Sequence, residues 1–264
     1  MNLIFTAFAT LEGYREGSNA NLGSEVFYRC IVVSLVSAKQ KNQNCDAALV
    51  TNTAVPEPYA AQLSQAGIRV IACPFDNYRF EADLDWSLAY YKLCAMQYLL
   101  ETEHYENYLM LDSDTFTQRG YQDIWREAAE AVLLYQVPHA ASQPMTARIS
   151  HTYDELWPEG APHVLTHFGG GSWRAARPGC RILWPNAAMC LTGCSRPACA
   201  ARTATKPFWM LRPTAASWRA SPCGPPTRMC SGTGWAGIFI MFPRTTAATP
   251  SACCTCPARR KCAS

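Results

Sequence analysis

Two aspartates, Asp112 and Asp114, stand one residue apart directly after the apolar run of residues 108–111. Residues two apart in an extended chain point to the same side, so these carboxylates would lie close together. Close carboxylates repel each other unless a cation lies between them, and hard oxygen ligands suit Mn²⁺ or Mg²⁺. A metal held by one or two carboxylates and completed by substrate phosphates is common in nucleotide chemistry. The triplet is therefore a candidate Mn²⁺ or Mg²⁺ site at Asp112 and Asp114, and Ser113 between them is a candidate contact of the nucleotide sugar.

Aspartate has other uses, and the triplet alone leaves them open. The residue also favours loops and helix caps. A second such triplet, Asp83 to Asp85, precedes a predicted helix and is interpreted as an N-cap cluster that stabilises the helix dipole.

The elements around the triplet predict an α/β fold. Across residues 2–170, short apolar runs alternate with longer amphipathic stretches, a pattern typical of βα units on a mostly parallel sheet flanked by helices. The predicted strands are residues 3–8, 47–51, 69–72 and 108–111. The predicted helices are residues 25–38, 57–66 (with Gly67 as its C-cap) and 86–102. Ligands in such sheets bind beyond the carboxyl ends of the strands, where Asp112 and Asp114 would lie.

Two of these helices have an apolar face that the sequence assigns to the core. The first is expected to bury Val26, Cys30, Val33 and Val36. The third is expected to bury Leu88, Tyr91, Ala95 and Tyr98.

Four segments, in the same order along the chain, resemble the GT-A glycosyltransferases of family 8, the glycogenin-like group. They are residues 5–10 with Tyr14, residues 49–52, residues 87–94 and residues 111–115. The resemblance implies a GT-A, Rossmann-like fold and a retaining transfer of sugar from a nucleotide-sugar donor, with UDP the expected nucleotide, to an acceptor.

The resemblance also implies roles for individual residues. The first strand would bind the nucleotide through Thr6, Ala7 and Phe8, and Tyr14 would pack on the uracil. Asn52 would lie near the base and ribose, Lys92 on the sugar nucleotide, and Asp112 and Asp114 on the metal. Residues 166–170 resemble the acceptor-side strand and turn, which gives His167, Gly169 and Gly170 places near the acceptor.

Several of these residues have ordinary structural alternatives. Phe8 and Tyr14 could pack in the core, and Lys92 could be a surface lysine whose stem covers apolar surface. His167 could be a core or surface histidine with no ligand role.

Residues 160–264 differ sharply from the rest of the chain. All 20 acidic residues but only 10 of the 23 basic ones precede residue 160, so residues 1–159 carry a net charge of −10 and residues 160–264 a net charge of +13. Ten of the 14 cysteines also follow residue 160. A soluble domain normally intersperses both signs of charge. The sequence thus predicts a nucleotide-sugar-binding domain at residues 1–170 and an irregular segment at residues 171–264 that leaves the fold incomplete.

A displaced reading frame accounts for the second segment. Read from the third base of each codon, residues 203–210 permit Gly-Asp-Glu-Ala-Val-Leu-Asp, and residues 252–258 permit Val-Leu-His-Leu-Pro-Gly. The latter resembles the His-x-x-Gly-x-Lys stretch that supplies family 8 enzymes with a third metal ligand and a phosphate contact. The hypothesis is that the frame slips near residues 170–171, which would leave a transferase domain that is catalytically dead or binds nucleotide only.

The competing interpretation is a basic, cysteine-rich module that binds nucleic acid or zinc. Its cysteine spacings, such as Cys190, Cys194 and Cys199, do not match the paired geometry of structural zinc sites, and no histidine follows His167. We therefore expect no nucleic-acid partner. The first four cysteines are interpreted as thiols of a reduced cytoplasmic protein, and no apolar stretch reaches 18 residues, so we expect no membrane span.

Overall fold

Four strands form the parallel half of a β-sheet in the computed structural model. They are β1 (Asn2–Phe8), β2 (Asp46–Thr51), β3 (Arg69–Ala72) and β4 (Asn107–Met110). Strand β1 pairs in parallel with β2 on one side and with β4 on the other, and β2 pairs with β3. The structure describes residues 1–14, 24–79, 87–128, 131–136, 146–147, 150–151, 154, 168–176 and 239–243. These four strands match the predicted ones to within one residue at each end.

Three further strands complete the sheet, which has the order β3-β2-β1-β4-β6-β5-β7. They are β5 (Ala131–Gln136), β6 (Phe168–Ala176) and β7 (Phe239–Pro243). Strand β6 runs antiparallel to both β4 and β5, and β7 runs antiparallel to β5. The fold is therefore the α/β, Rossmann-like class that the sequence predicted, with a mostly parallel sheet.

Helices cover both faces of the sheet. They are α1 (Ser24–Lys41), α2 (Glu57–Gln65), α3 (Tyr91–Thr102) and α4 (Gln122–Ala128), and a 3₁₀ turn (Ser87–Tyr90) leads into α3. Leu3 and Phe5 of β1 pack against α3, whereas Ile4 and Phe8 point to the other face, because alternate residues of a strand face opposite sides. Ala66 is the C-cap of α2, and Gly67, the predicted cap, follows it with a φ of +67°, a left-handed conformation that glycine adopts readily.

The predicted buried face of α1 is correct only in part. Val36 packs against the core and Cys30 is half-buried, but Val26 and Val33 are 41% and 52% exposed. The helix instead buries Tyr28, Ile31, Ser34, Leu35, Ser37 and Ala38. The two serines are buried because their hydroxyls have hydrogen-bond partners, which an apolar pattern does not register. The face predicted for α3 is correct, since Tyr91 and Ala95 are buried in the core and Leu88 and Tyr98 pack against it.

Ordered structure also continues beyond the predicted domain boundary at residues 170–171. Strand β6 runs through that boundary, and β7 lies in residues for which the sequence predicted no strand. Residues 239–243 are a short, continuous apolar run, which does not distinguish a buried strand from other structures by periodicity. In the part of the chain that the structure describes, no helix is long and apolar enough to cross a membrane.

Candidate functional site

The predicted site lies where the strand order changes direction. The chain moves outward from β1 through β2 to β3, and then crosses back to place β4 on the opposite side of β1. Ligands of open α/β sheets bind at such a switch point, beyond the carboxyl ends of the strands. The Leu111 amide donates to the Phe5 carbonyl oxygen at 2.8 Å, which extends the pairing of β1 and β4 by one residue. Asp112 therefore follows immediately beyond the carboxyl end of β4, beside the last residues of β1, which continues to Phe8.

Lys92 and Asp112 form an ion pair at this edge. The Lys92 Nζ lies 2.9 Å from Oδ1 of Asp112, and the side chains are 16% and 37% exposed. The sequence predicted both residues beside the nucleotide but did not predict this contact, because they come from different elements. With one lysine against two aspartates, the described side chains at this strand end keep an excess of negative charge, which favours a bound cation.

Helix α3 is fixed to the sheet beside Lys92. The neighbouring Tyr91 is buried, and its hydroxyl donates to the Cys73 carbonyl oxygen at 2.8 Å, just after β3. Burial raises the pKa of Tyr91, so the hydroxyl remains a donor at neutral pH. This contact sets the position of the turn of α3 from which Lys92 reaches Asp112.

The two aspartates suit a hard cation that also binds a diphosphate. Asp114 is exposed, Asp112 and Ser113 are half-buried, and the ion pair with Lys92 uses Oδ1 of Asp112. Among the described residues there is no group of three histidine, cysteine, aspartate or glutamate side chains able to hold a metal. Two carboxylates fit Mn²⁺ or Mg²⁺ when water and phosphate oxygens complete the coordination.

The side chains at the end of β1 mostly pack in the protein interior. Thr6 is buried, and its Oγ1 has no hydrogen-bond partner in the described part of the chain. Ala7 packs against the core on the α3 side. Phe8 lies 5.2 Å from the ring of Tyr28 and 6.0 Å from that of Phe27, which is the core-packing alternative that the sequence left open. Nucleotide contacts of these three residues remain predictions.

Asn52 braces the loop that follows β1. Its Oδ1 accepts from the Thr10 amide and its Nδ2 donates to the Thr10 carbonyl oxygen, each at 2.9 Å. Beyond this clamp a turn closes through a hydrogen bond from the Tyr14 amide to the Leu11 carbonyl oxygen, with Gly13 at a φ of 78°. Asn52 thus holds the segment that carries Tyr14, and contact of either residue with the base remains a prediction.

The acceptor-side glycines Gly169 and Gly170 lie in β6, the strand that pairs antiparallel with β4. The pairing ends at Met110 and Trp173, and the chain turns at residues 113–114. A place for these glycines near the acceptor therefore remains a prediction. His167 lies outside the described residues, as do Asp83 and Asp85.

Sequence reasoning missed a group of polar side chains on α1 and directly after it that bind the loop after β4. Ser34 contacts Asp112 and Thr115, Ser37 contacts Thr117, and Asn42 contacts Tyr121. The available signal was the spacing of small polar residues between the apolar residues Ile31, Leu35 and Ala38.

Comparison with known proteins gives likenesses of structure only. No protein-family model and no curated protein matches the sequence. An active-site mutant of LgtC is similar at a TM-score of 0.49 and 12% identity, over 73% of this chain and 64% of that one. The apo form of the glycosyltransferase GlyE of Streptococcus pneumoniae is similar at a TM-score of 0.43 and 14% identity, over 74% of this chain and 39% of that one. Mouse xyloside xylosyltransferase 1 is similar at a TM-score of 0.41 and 12% identity, over 78% of this chain and 76% of that one.

The chain spans 64% of the length of the LgtC mutant and 39% of the length of GlyE. At such identities and TM-scores, they establish neither an activity nor a substrate for this chain.

Proposed function

We propose that the chain contains the nucleotide-sugar-binding part of a GT-A glycosyltransferase that uses Mn²⁺ or Mg²⁺ and a UDP-sugar. The observation that carries this proposal is the placement of Asp112 and Asp114 at the switch point of the sheet, with Lys92 2.9 Å from Asp112. The ordered resemblance of four sequence segments to family 8 supports the same function.

The residues at the sheet edge divide the work of holding a sugar diphosphate. Asp112 and Asp114 supply carboxylate oxygens for the cation, which when bound neutralises charge on the diphosphate leaving group. Lys92 is placed to exchange its contact with Asp112 for one with a phosphate oxygen, as a mobile point charge. The Asn52 clamp orients the loop of Tyr14 toward the base. An acceptor hydroxyl held beside Gly169 and Gly170 would attack the anomeric carbon of the held sugar.

The chain as written is proposed to be inactive in transfer. The family's third metal ligand and phosphate contact have counterparts only in the displaced reading frame, within residues 252–258. Two carboxylates without a third protein ligand in the described residues bind a cation weakly. The second candidate function is therefore binding of a nucleotide without sugar transfer. We propose that the protein acts in the cytoplasm and has no nucleic-acid partner.

Nucleotide-sugar hydrolysis tests the proposal. The chain and a protein with the frame restored after residue 170 are assayed with a panel of UDP-sugars, with and without Mn²⁺. The restored protein should hydrolyse one of them only with Mn²⁺, and the present chain none. A restored Asp112→Asn variant should lose the activity, while Asp123→Asn, at an exposed aspartate of α4, should keep it.

Two results would count against the proposal. Equal turnover by the present chain and the restored protein would refute the displaced frame. Metal-independent turnover, or none by the restored protein, would refute the transferase assignment.

A further inference from the structure

We infer that Ser34 of helix α1 is a positioning residue whose buried hydroxyl fixes the backbone of the Asp112–Asp114 turn. The inference rests on the proposed function, because it takes these aspartates as the cation ligands. Ser34 is fully buried, and its Oγ lies 3.2 Å from the carbonyl oxygen of Asp112. The same Oγ lies 2.7 Å from Oγ1 of Thr115.

Thr115 closes the arrangement. Its Oγ1 lies 2.9 Å from the Asp112 carbonyl oxygen. Each hydroxyl has one proton, so one of them donates to this carbonyl oxygen and the other donates to the first hydroxyl. This pair of hydrogen bonds holds the Asp112 peptide plane against rotation. The direction of that plane sets where the chain leaves β4, and hence where the carboxylates of Asp112 and Asp114 project.

Ser34 is one of three residues, two on α1 and one directly after it, that bind the segment of residues 112–121. Ser37 Oγ accepts from the Thr117 amide at 3.0 Å, and Asn42 Oδ1 accepts from the Tyr121 amide at 2.7 Å. These two contacts hold the later part of the segment. Ser34 alone among the described residues of α1 has a recorded hydrogen bond to an aspartate of the triplet, so its effect should be confined to the cation ligands.

This positioning role explains why α1 buries two serine hydroxyls in the core. Two hydroxyls on the sheet-facing side replace apolar side chains in the core, and buried polar groups are tolerated only with partners. The hydrogen-bond partners of the Ser34 hydroxyl all lie in the loop that bears the aspartates. The Ser37 hydroxyl, by contrast, also donates to the backbone carbonyl oxygen of Ser34 within the helix.

The test compares Ser34→Ala with Ser37→Ala in the full chain. Mn²⁺ binding is measured in the presence of UDP from the electron paramagnetic resonance signal of free Mn²⁺. Ser34→Ala should weaken Mn²⁺ binding about five-fold, the effect of losing one buried hydrogen bond, and Ser37→Ala should change it less than about two-fold. Equal weakening by both variants would overturn the inference, as would unchanged binding in Ser34→Ala.

A second pair of variants covers the case in which Ser34→Ala fails to fold. Thr115→Val removes the second hydroxyl and should reproduce the weakening, whereas Thr115→Ser keeps the hydroxyl and should restore normal binding. Loss of binding in both Thr115 variants would indicate a merely structural role and would overturn the inference.

Amide hydrogen exchange separates this inference from the proposed function. In Ser34→Ala the amides of residues 113–115 should exchange faster while that of Thr117 stays unchanged, and Ser37→Ala should show the reverse. If the unsubstituted chain takes up no Mn²⁺ that Asp112→Asn removes, the proposed function fails. The exchange pattern still decides on Ser34, and a uniform change across residues 112–121 in either variant would contradict it.

Discussion

Lys92 and Asp112 are twenty residues apart in the sequence, yet their side chains meet where α3 begins and β4 ends, on the same edge of the sheet. Asp112 was a candidate metal ligand from its type and its position after an apolar run, and Lys92 was a candidate through the resemblance of its helix to family 8. Their contact was not, because a side-chain pairing depends on how two elements pack. The same holds for Phe8, whose aromatic ring would serve equally in a core or against a base, and which the fold packs on Tyr28.

Tyr105 shows how a single hydroxyl ties several elements together. The buried Tyr105 hydroxyl donates to Asp46 at the start of β2 at 2.6 Å and accepts from Arg69 at the start of β3 at 3.2 Å. We expect Tyr105→Phe to lower the free energy of unfolding by about 1–2 kcal/mol, since it leaves two polar groups with one partner fewer. Urea denaturation measures this, and Tyr98→Phe, whose hydroxyl has no recorded hydrogen bond in the described residues, should cost less than about 0.5 kcal/mol.

The same residue gives a prediction for pH. Burial, and then the hydrogen bond to Asp46, raise the pKa of Tyr105 from 10.0 to about 12. A raised pKa means that the folded state favours the protonated phenol, so its contribution is fully present below pH 10 and is lost as the pH rises through about 12. The difference in stability between the unsubstituted chain and Tyr105→Phe should therefore shrink over that interval. A difference that stays constant across it would contradict this assignment.

At the scale of elements, periodicity predicted where helices and strands lie but not always which side they bury. The predicted ends of β1 to β4 lie within one residue of the observed ends, because each of these strands is a short apolar run bounded by polar residues. Half of the face predicted for α1 was wrong, because the helix buries Ser34 and Ser37, whose partners lie in the loop, and leaves Val26 and Val33 exposed. Hydrophobicity carries no record of a partner that lies 80 residues further along the chain.

Substitutions on α1 test the observed face. Leu35 is fully buried against the sheet, and Leu35→Ala should cost about 3 kcal/mol of stability through lost burial and a cavity. Val33 is 52% exposed, and Val33→Ala should change stability by less than about 0.5 kcal/mol. Chemical denaturation of both variants compares them directly. A larger loss for Val33→Ala than for Leu35→Ala would restore the face that the sequence predicted.

At the scale of the whole molecule, the sequence predicted the parallel half of the sheet and missed part of the antiparallel half. Parallel βα units leave a regular alternation that can be recognised locally. Strand β7 pairs with β5 across more than a hundred residues, and its residues lie in the segment with a net charge of +13 and no acidic residue. Strand pairing is made by backbone groups, which any reading frame supplies, whereas the ligands of a site need particular side chains. A displaced reading frame would therefore eliminate the ligand side chains of the site while the backbone groups that pair the strands stayed in place.

The measurement closest to the central claim is calorimetric titration of UDP into the full chain, with and without Mn²⁺. The account predicts weak binding that requires Mn²⁺, that disappears in Asp112→Asn and Asp114→Asn, and that persists in Asp123→Asn. Binding of equal strength without Mn²⁺, binding that survives the loss of Asp112, or no binding of UDP with Mn²⁺ present would contradict it.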